Sequence, residues 1–173
     1  LAPDRPEPLV LIGELLKRSQ HQDDGNDALL KATRLYFEAG THAEVLLTGE
    51  PLVRDFPDDQ ELLNAVFQSS LSIGKRKVIA KAGDALASLL VSKGSVVHAA
   101  EILLKVVSHF PNEVGRRLEV ADLLRDSGDL SRAVSQLEGT AEYLTGKQDV
   151  SERIKVLRKI FELDPDRHDI KQE

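Results

Sequence analysis

Apolar side chains recur three and four positions apart along nearly the whole chain, the spacing that lines one face of a helix, and no stretch keeps the two-residue rhythm of a strand. An opening helix is expected near residues 8–20 on Val10, Leu11, Leu15 and Leu16. Later faces are Leu29, Ala32, Leu35 and Tyr36, then Leu62, Leu63, Val66 and Phe67, then Val78, Ala82, Ala85, Leu86 and Leu89. They continue with Ile102, Leu103, Val106 and Val107, with Leu118, Ala121 and Leu124, and with Leu130, Ala133, Leu137 and Leu144. The last is Ile154, Leu157, Ile160 and Phe161. Between the first two, the polar stretch Gln22 to Asp27 reads as a turn that supplies capping residues for the second helix.

Helix breakers punctuate these faces at even intervals. Gly40, Pro57, Gly74, Gly94, Pro111, Gly128, Gly146 and Pro165 are separated by 17, 17, 20, 17, 17, 18 and 19 residues. Each interval holds one helix and a short connection, because Gly closes a helix in the left-handed conformation and Pro cannot continue one. Narrow stripes on antiparallel neighbours are buried by stacking sideways, so an all-α array of about nine helices is expected, each unit touching mainly the next.

Small residues at defined places sharpen that expectation. Ala87 lies on the face of one helix, Gly94 closes it, Ala99 stands near the start of the next and Pro111 follows its end, with Leu86, Leu90, Leu103 and Val106 as larger core positions. The segment from Ala80 to Asn112 thereby resembles a tetratricopeptide (TPR) repeat, a helix pair of about 34 residues. The next segment repeats the pattern with Ala121, Leu124, Gly128, Ala133 and Leu137, though Thr145 stands where Pro is usual. An earlier one keeps Tyr36, Gly40 and Pro57 but has Thr33 and Val45 at the small positions and Pro51 inside its second helix.

The resemblance implies a right-handed α-solenoid of antiparallel helix pairs. Residues 1–8 are expected as a proline-rich linker and 9–165 as the repeat domain. Within the latter, 26–59 is a degenerate repeat, 59–79 an extra or irregular helical segment, 80–113 and 114–147 repeats and 148–165 a further helix. Residues 166–173 read as the start of a truncated next helix. Pro57, Pro111 and Pro165 are spaced by 54 residues, three helices and not two, so strict pairing is broken somewhere.

Composition narrows the function classes. With 29 acidic and 23 basic side chains the net charge is -6, which repels phosphate backbones and argues against nucleic acid as a partner. Hydrophobic residues at 41% are enough for a folded chain, while the apolar runs are too short for membrane insertion. The absence of cysteine removes disulfides, thiolate metal sites and a thiol nucleophile. The opening Leu1 to Pro8 and the closing Asp166 to Glu173 suggest a piece of a longer protein, expected in the cytoplasm.

Candidate chemical motifs dissolve on inspection. Ser72-Ile73-Gly74-Lys75 has the spacing of a serine nucleophile and its lysine, without companion motifs. Thr145-Gly146-Lys147 resembles the end of a phosphate loop, but Ala141 stands where Gly is needed and Gln148 where a hydroxyl is needed. Asp23 to Asp27 lacks the distal Glu of a calcium loop, and His21, His42, His98, His109 and His168 show no metal-ligand spacing. Lys75-Arg76-Lys77 has no interleaved aromatics and reads as a solvated turn, and the amphipathic first helix as a cap over the exposed end of the array. No catalytic residue, cofactor or metal is expected, and the chain is not expected to be an enzyme.

In the TPR family the first helix of each pair lines a groove that holds a peptide or a partner helix. The positions this resemblance implies are Asp27, Leu30, Arg34, Phe37 and Glu38, then Lys81, Asp84, Ser88, Val91 and Ser92, then Gly115, Leu118, Asp122, Arg125 and Asp126. The implied function is a protein-protein interaction module, a scaffold or adaptor in a larger regulatory or assembly protein, with another protein as partner. The alternative is a structural spacer or a homodimer-forming segment without a dedicated groove.

Overall fold

The computed structural model describes residues 5–145 and 150–165. Among them nine α-helices and one 3-10 helix follow one another with no strand. They are α1 (Pro6–Arg18), α2 (Gln22–Glu38), α3 (His42–Gly49), the 3-10 helix (Glu50–Arg54), α4 (Gln60–Ile73) and α5 (Arg76–Ser92). After these come α6 (Val96–Ser108), α7 (Val114–Asp126), α8 (Leu130–Leu144) and α9 (Val150–Leu163). The chain divides into two compact units, Leu1–Leu89 and Leu90–Glu173.

In the first unit α1, α2, α3 and α4 pack in succession, and α2 also packs directly on α4. That alternate contact is what stacking of successive helix pairs produces. Phe67, Leu46, Leu52, Leu62, Leu63 and Ile79 are sealed from solvent at its centre. Two helix approaches depend on glycine. A Cβ on Gly25 would lie 2.8 Å from the Gly13 carbonyl oxygen, and one on Gly13 would lie 2.9 Å from the Gly25 carbonyl oxygen, so α1 and α2 cross with no room for a side chain at either. A Cβ on Gly49 would meet Thr33 Cγ2 at 2.8 Å and Val66 Cγ2 at 2.9 Å. Thr33 therefore fits where the family places a smaller residue because the facing helix gives up its own side chain. The Thr33 hydroxyl is satisfied there, donating to Thr48 Oγ1 at 2.8 Å, which donates to the Glu44 carbonyl oxygen at 2.9 Å.

Three local readings change. The helix α1 begins at Pro6, inside the stretch expected as a linker, because proline in the first turn gives up an N–H that has no intrahelical partner there. The segment Gln22 to Asp27 is the first turn and a half of α2, not a turn before it. Asp23 and Asp24 sit at the positive end of that helix, and Gly25 is its contact with α1. Pro51 does not interrupt a helix, since α3 ends at Gly49 and the proline enters near the start of the 3-10 segment. The region 59–79 holds α4 as a regular helix, capped by Asp59, whose Oδ1 accepts from the Leu62 N–H at 3.0 Å, and closed by Gly74 at φ 80°.

In the second unit α6, α7, α8 and α9 pack in succession, and α7 also packs directly on α9. Ala99, Ala121 and Ala133 are fully buried in this unit, and Val106, Leu137, Val156 and Ile160 are sealed from solvent as well. The spacing of the prolines is accounted for by the element order. The helices α4, α5 and α6 lie between Pro57 and Pro111, and α7, α8 and α9 between Pro111 and Pro165. The residues 1–4, Gly146 to Asp149 and 166–173, with the expectations attached to them, lie outside the described residues.

Candidate functional site

The outward side of α2 presents Asp27, Arg34 and Glu38 to solvent, and Phe37 is half-buried against the cluster of Ala32, Tyr36, Val45 and Ala65. Leu30, expected among the groove positions, is buried in the core. Arg34 does not project freely. Its Nη2 donates to Asp59 Oδ2 at 3.0 Å and its Nε lies 3.1 Å from Glu61 Oε2. Asp59 thus caps α4 with one oxygen and holds α2 with the other.

On α5, Lys81 and Ser88 are exposed and Asp84 is half-buried. Lys81 lines an open cleft of about 400 Å³ together with Leu46 and Leu47 of α3 and Arg54 of the 3-10 helix.

Asp122, Arg125 and Asp126 come together on α7 of the second unit. Arg125 pairs with Asp122 at 2.7 Å and with Asp126 at 2.8 Å. Asp122 also holds Lys159 of α9 at 2.8 Å, and this hydrogen bond pushes the lysine's pKa up despite its partial burial. The two arginines of the expected groove are thus both engaged by carboxylates of their own unit. Exposed pairs of this kind contribute little stability, about 0.2–1 kcal/mol each, yet an incoming anion must compete with them.

Sequence reasoning did not find the partners Asp59, Glu61 and Lys159. Asp59 had a signal, since an Asp two residues after Pro57 and just before an apolar stripe is an N-cap pattern. Lys159 had none, because its pairing joins two helices 37 positions apart in the chain.

The chemical motifs are absorbed by structure. Ser72 Oγ donates to the Gln68 carbonyl oxygen at 3.1 Å, as helix-end serines do, and makes no described bond to Lys75. His42 Nδ1 lies 3.1 Å from Ser69 Oγ, and His21 Nδ1 lies 3.2 Å from Ser19 Oγ. The first joins α3 to α4, and the second is local to the turn after α1. Gly146, Lys147, Gln148 and His168 lie outside the described residues. Among the described residues no group of three or more His, Cys, Asp or Glu is placed to hold a metal ion, and no helix is long and apolar enough to cross a membrane.

No protein-family model and no curated protein matches the chain. Solved structures do. A Podosopora anserina protein of nearly identical TPR-like repeats, described as a putative kinesin light chain, superposes with a TM-score of 0.53 at 18% identity, over 97% of this chain and 92% of that one. A substituted variant of that protein gives a TM-score of 0.52 at 16% identity, over 99% and 92%. Identity at this level speaks to fold alone. Both the helix order and the direct packing of alternate helices agree with it, so the chain has the TPR-like helical-repeat fold.

Proposed function

We propose that the chain is a non-catalytic, cytoplasmic protein-interaction module, a scaffold or adaptor segment that holds a peptide or helix of another protein within a larger regulatory or assembly protein. The observation that carries this reading is the direct packing of α2 on α4 and of α7 on α9. In each unit it puts alternate helices side by side and leaves Asp27, Arg34 and Glu38, or Arg125 and Asp126, facing outward. Asp84 and Ser88 of α5 belong to the same reading by their place in the resemblance.

The test is capture of binding partners by the purified chain, followed by photo-crosslinking from positions 27, 34, 38, 122 and 126. Crosslinks confined to these helices, lost in Arg34→Glu and Arg125→Glu with circular dichroism unchanged, are expected. Crosslinks that map elsewhere would overturn the assignment of the face.

A second reading, self-association, has its own observation. On α1, Leu11 and Leu15 are 60% and 53% exposed, an apolar stripe that a second copy would cover. Light scattering separates the two, since a monomer whose mass is independent of concentration counts against self-association.

A further inference from the structure

The cleft beside α3 in the first unit differs in charge from the chain as a whole. Its floor is apolar, formed by Leu46, Leu47 and Pro51, and Leu47 is 76% exposed, the highest value among the large apolar side chains described. Around that floor stand Arg54, Lys75 and Lys81 against a single carboxylate, Glu50. The chain as a whole has six more acids than bases, yet this rim has three cations to one acid.

We propose that this cleft docks an acidic segment of a partner protein, one that carries an apolar side chain flanked by carboxylates. The site is separate from the α2 and α7 faces and does not require them. Three arguments favour such an occupant. First, no described carboxylate lies within ion-pair distance of Arg54, Lys75 or Lys81, whereas Arg34, Arg125 and Arg132 all have such partners. Binding here breaks no internal pair. Second, the screening length at physiological salt is about 8 Å, so a ligand in the cleft responds to the local cations and only weakly to the distant acidic excess. Third, the lining supplies aliphatic carbon in place of aromatic rings, which suits an aliphatic or aromatic side chain of a peptide and offers no stacking platform for nucleic-acid bases.

The Lys75-Arg76-Lys77 cluster gains a role in this arrangement through Lys75. In the sequence it stands in a turn between helices. In the fold it stands at the edge of an exposed leucine.

The experiment is fluorescence anisotropy with the whole chain and a labelled peptide of alternating Asp and Glu around a central Leu. Saturable binding that weakens with added salt is expected. Lys75→Glu with Lys81→Glu should weaken it about tenfold or more, and Leu47→Ser should weaken it without changing the salt dependence. Arg34→Glu and Arg125→Glu should leave it within about twofold. Because Lys75, Lys81 and Leu47 are exposed, these variants are expected to keep the wild-type circular dichroism.

Several results would overturn the proposal. They are no binding by the wild type, equal binding of a peptide with Asn and Gln in place of the acids, and tighter binding of a single-stranded oligonucleotide. Loss of binding in Arg34→Glu but not in the cleft variants would move the site to the α2 face. A dimer that Leu47→Ser dissociates would make a second copy the occupant.

Discussion

The first unit lines its cleft with Arg54, Lys75 and Lys81 and gives none of them a described ion-pair partner. The second unit has a cavity of about 480 Å³ with a similar inventory, Lys105, Arg117 and Arg132 beside Glu101, but engages two of its three cations internally. Glu101 takes Arg132 at 2.6 Å, and Arg117 donates its Nη2 to the Val107 carbonyl oxygen at 3.2 Å. The packing differs in parallel. The first unit brings α1 and α2 together at glycines and buries Phe67 completely, while the sealed large side chains of the second are aliphatic. Similar charge counts thus have different consequences, because what matters is whether the cation's partner lies within its own unit. A paired cation contributes to holding helices in place, and an unpaired one is available to a ligand.

The packing half of this contrast is the most exposed to test. Phe67→Ala empties the largest sealed side chain of the first unit and should destabilise it by about 3–5 kcal/mol, the cost of lost transfer energy plus a cavity. Leu137→Ala in the second unit removes a smaller, equally buried side chain and should cost about 2–4 kcal/mol. Urea denaturation measures both, and a larger loss for Leu137→Ala would reverse the comparison.

The glycines give a difference of sign. Gly25→Leu forces a side chain against the Gly13 carbonyl oxygen and should cost about 1–3 kcal/mol, with faster amide exchange throughout α1. Gly139, in α8, is exposed, and a Cβ there meets nothing within 4 Å. Gly139→Ala should stabilise the chain by about 0.5–1 kcal/mol through helix propensity alone. If Gly25→Leu were also neutral, the close crossing of α1 and α2 would not be a constraint.

The caps extend the contrast at lower amplitude. Asp59→Ala removes the cap of α4 and one of the two anchors of Arg34, so about 1–2 kcal/mol is expected. Asp129→Ala removes a cap of α8 at 3.2 Å and should cost about 0.5–1 kcal/mol. Asp129 also lies 3.7 Å from Arg132, so equal losses would show that the closer link from Asp59 to Arg34 adds nothing measurable over that looser one.

Helix order was legible because its signals are local. Gly40, Gly74, Gly94 and Gly128, taken from the sequence as helix closers, all have positive φ between 71° and 86°. The stripe of Leu62, Leu63, Val66 and Phe67 is indeed buried, as are Ala133, Leu137 and Leu144, while Leu130 at the start of their stripe is exposed. What misled was local too: Pro6 and Gly25 are breakers by propensity, and only the helix start at one and the tight crossing at the other reverse that meaning. The site was less legible for a physical reason. Lys81 was placed by its helix position in the resemblance, but the company it keeps, Leu47 and Arg54, comes from a helix and a 3-10 segment far back in the chain. Which cations are paired depends on such long-range neighbours, and periodicity holds no information about them.

The smallest effect tests the paired rim itself. The hydrogen bond from Arg132 holds the Glu101 carboxyl below the ordinary glutamate range, with the charges of Arg132, Lys105 and His98 acting in the same direction and partial burial against it. The folded state therefore binds this proton less tightly than the unfolded chain does. Its contribution to stability is complete above the ordinary glutamate pKa and fades as pH falls through the lowered folded value. Glu101→Gln should accordingly be slightly less stable than wild type near neutrality, and the gap should close on acidification below the ordinary glutamate range. The gap should be smaller than any of the losses above, because the side chains of Glu101 and Arg132 are 42% and 46% exposed and salt screens them. Thermal melts of the two proteins across the acid range, at low and high salt, measure it. A gap that persists unchanged into acid would mean that Arg132 does not rely on the Glu101 charge, and the second cavity would then be as open to anions as the first.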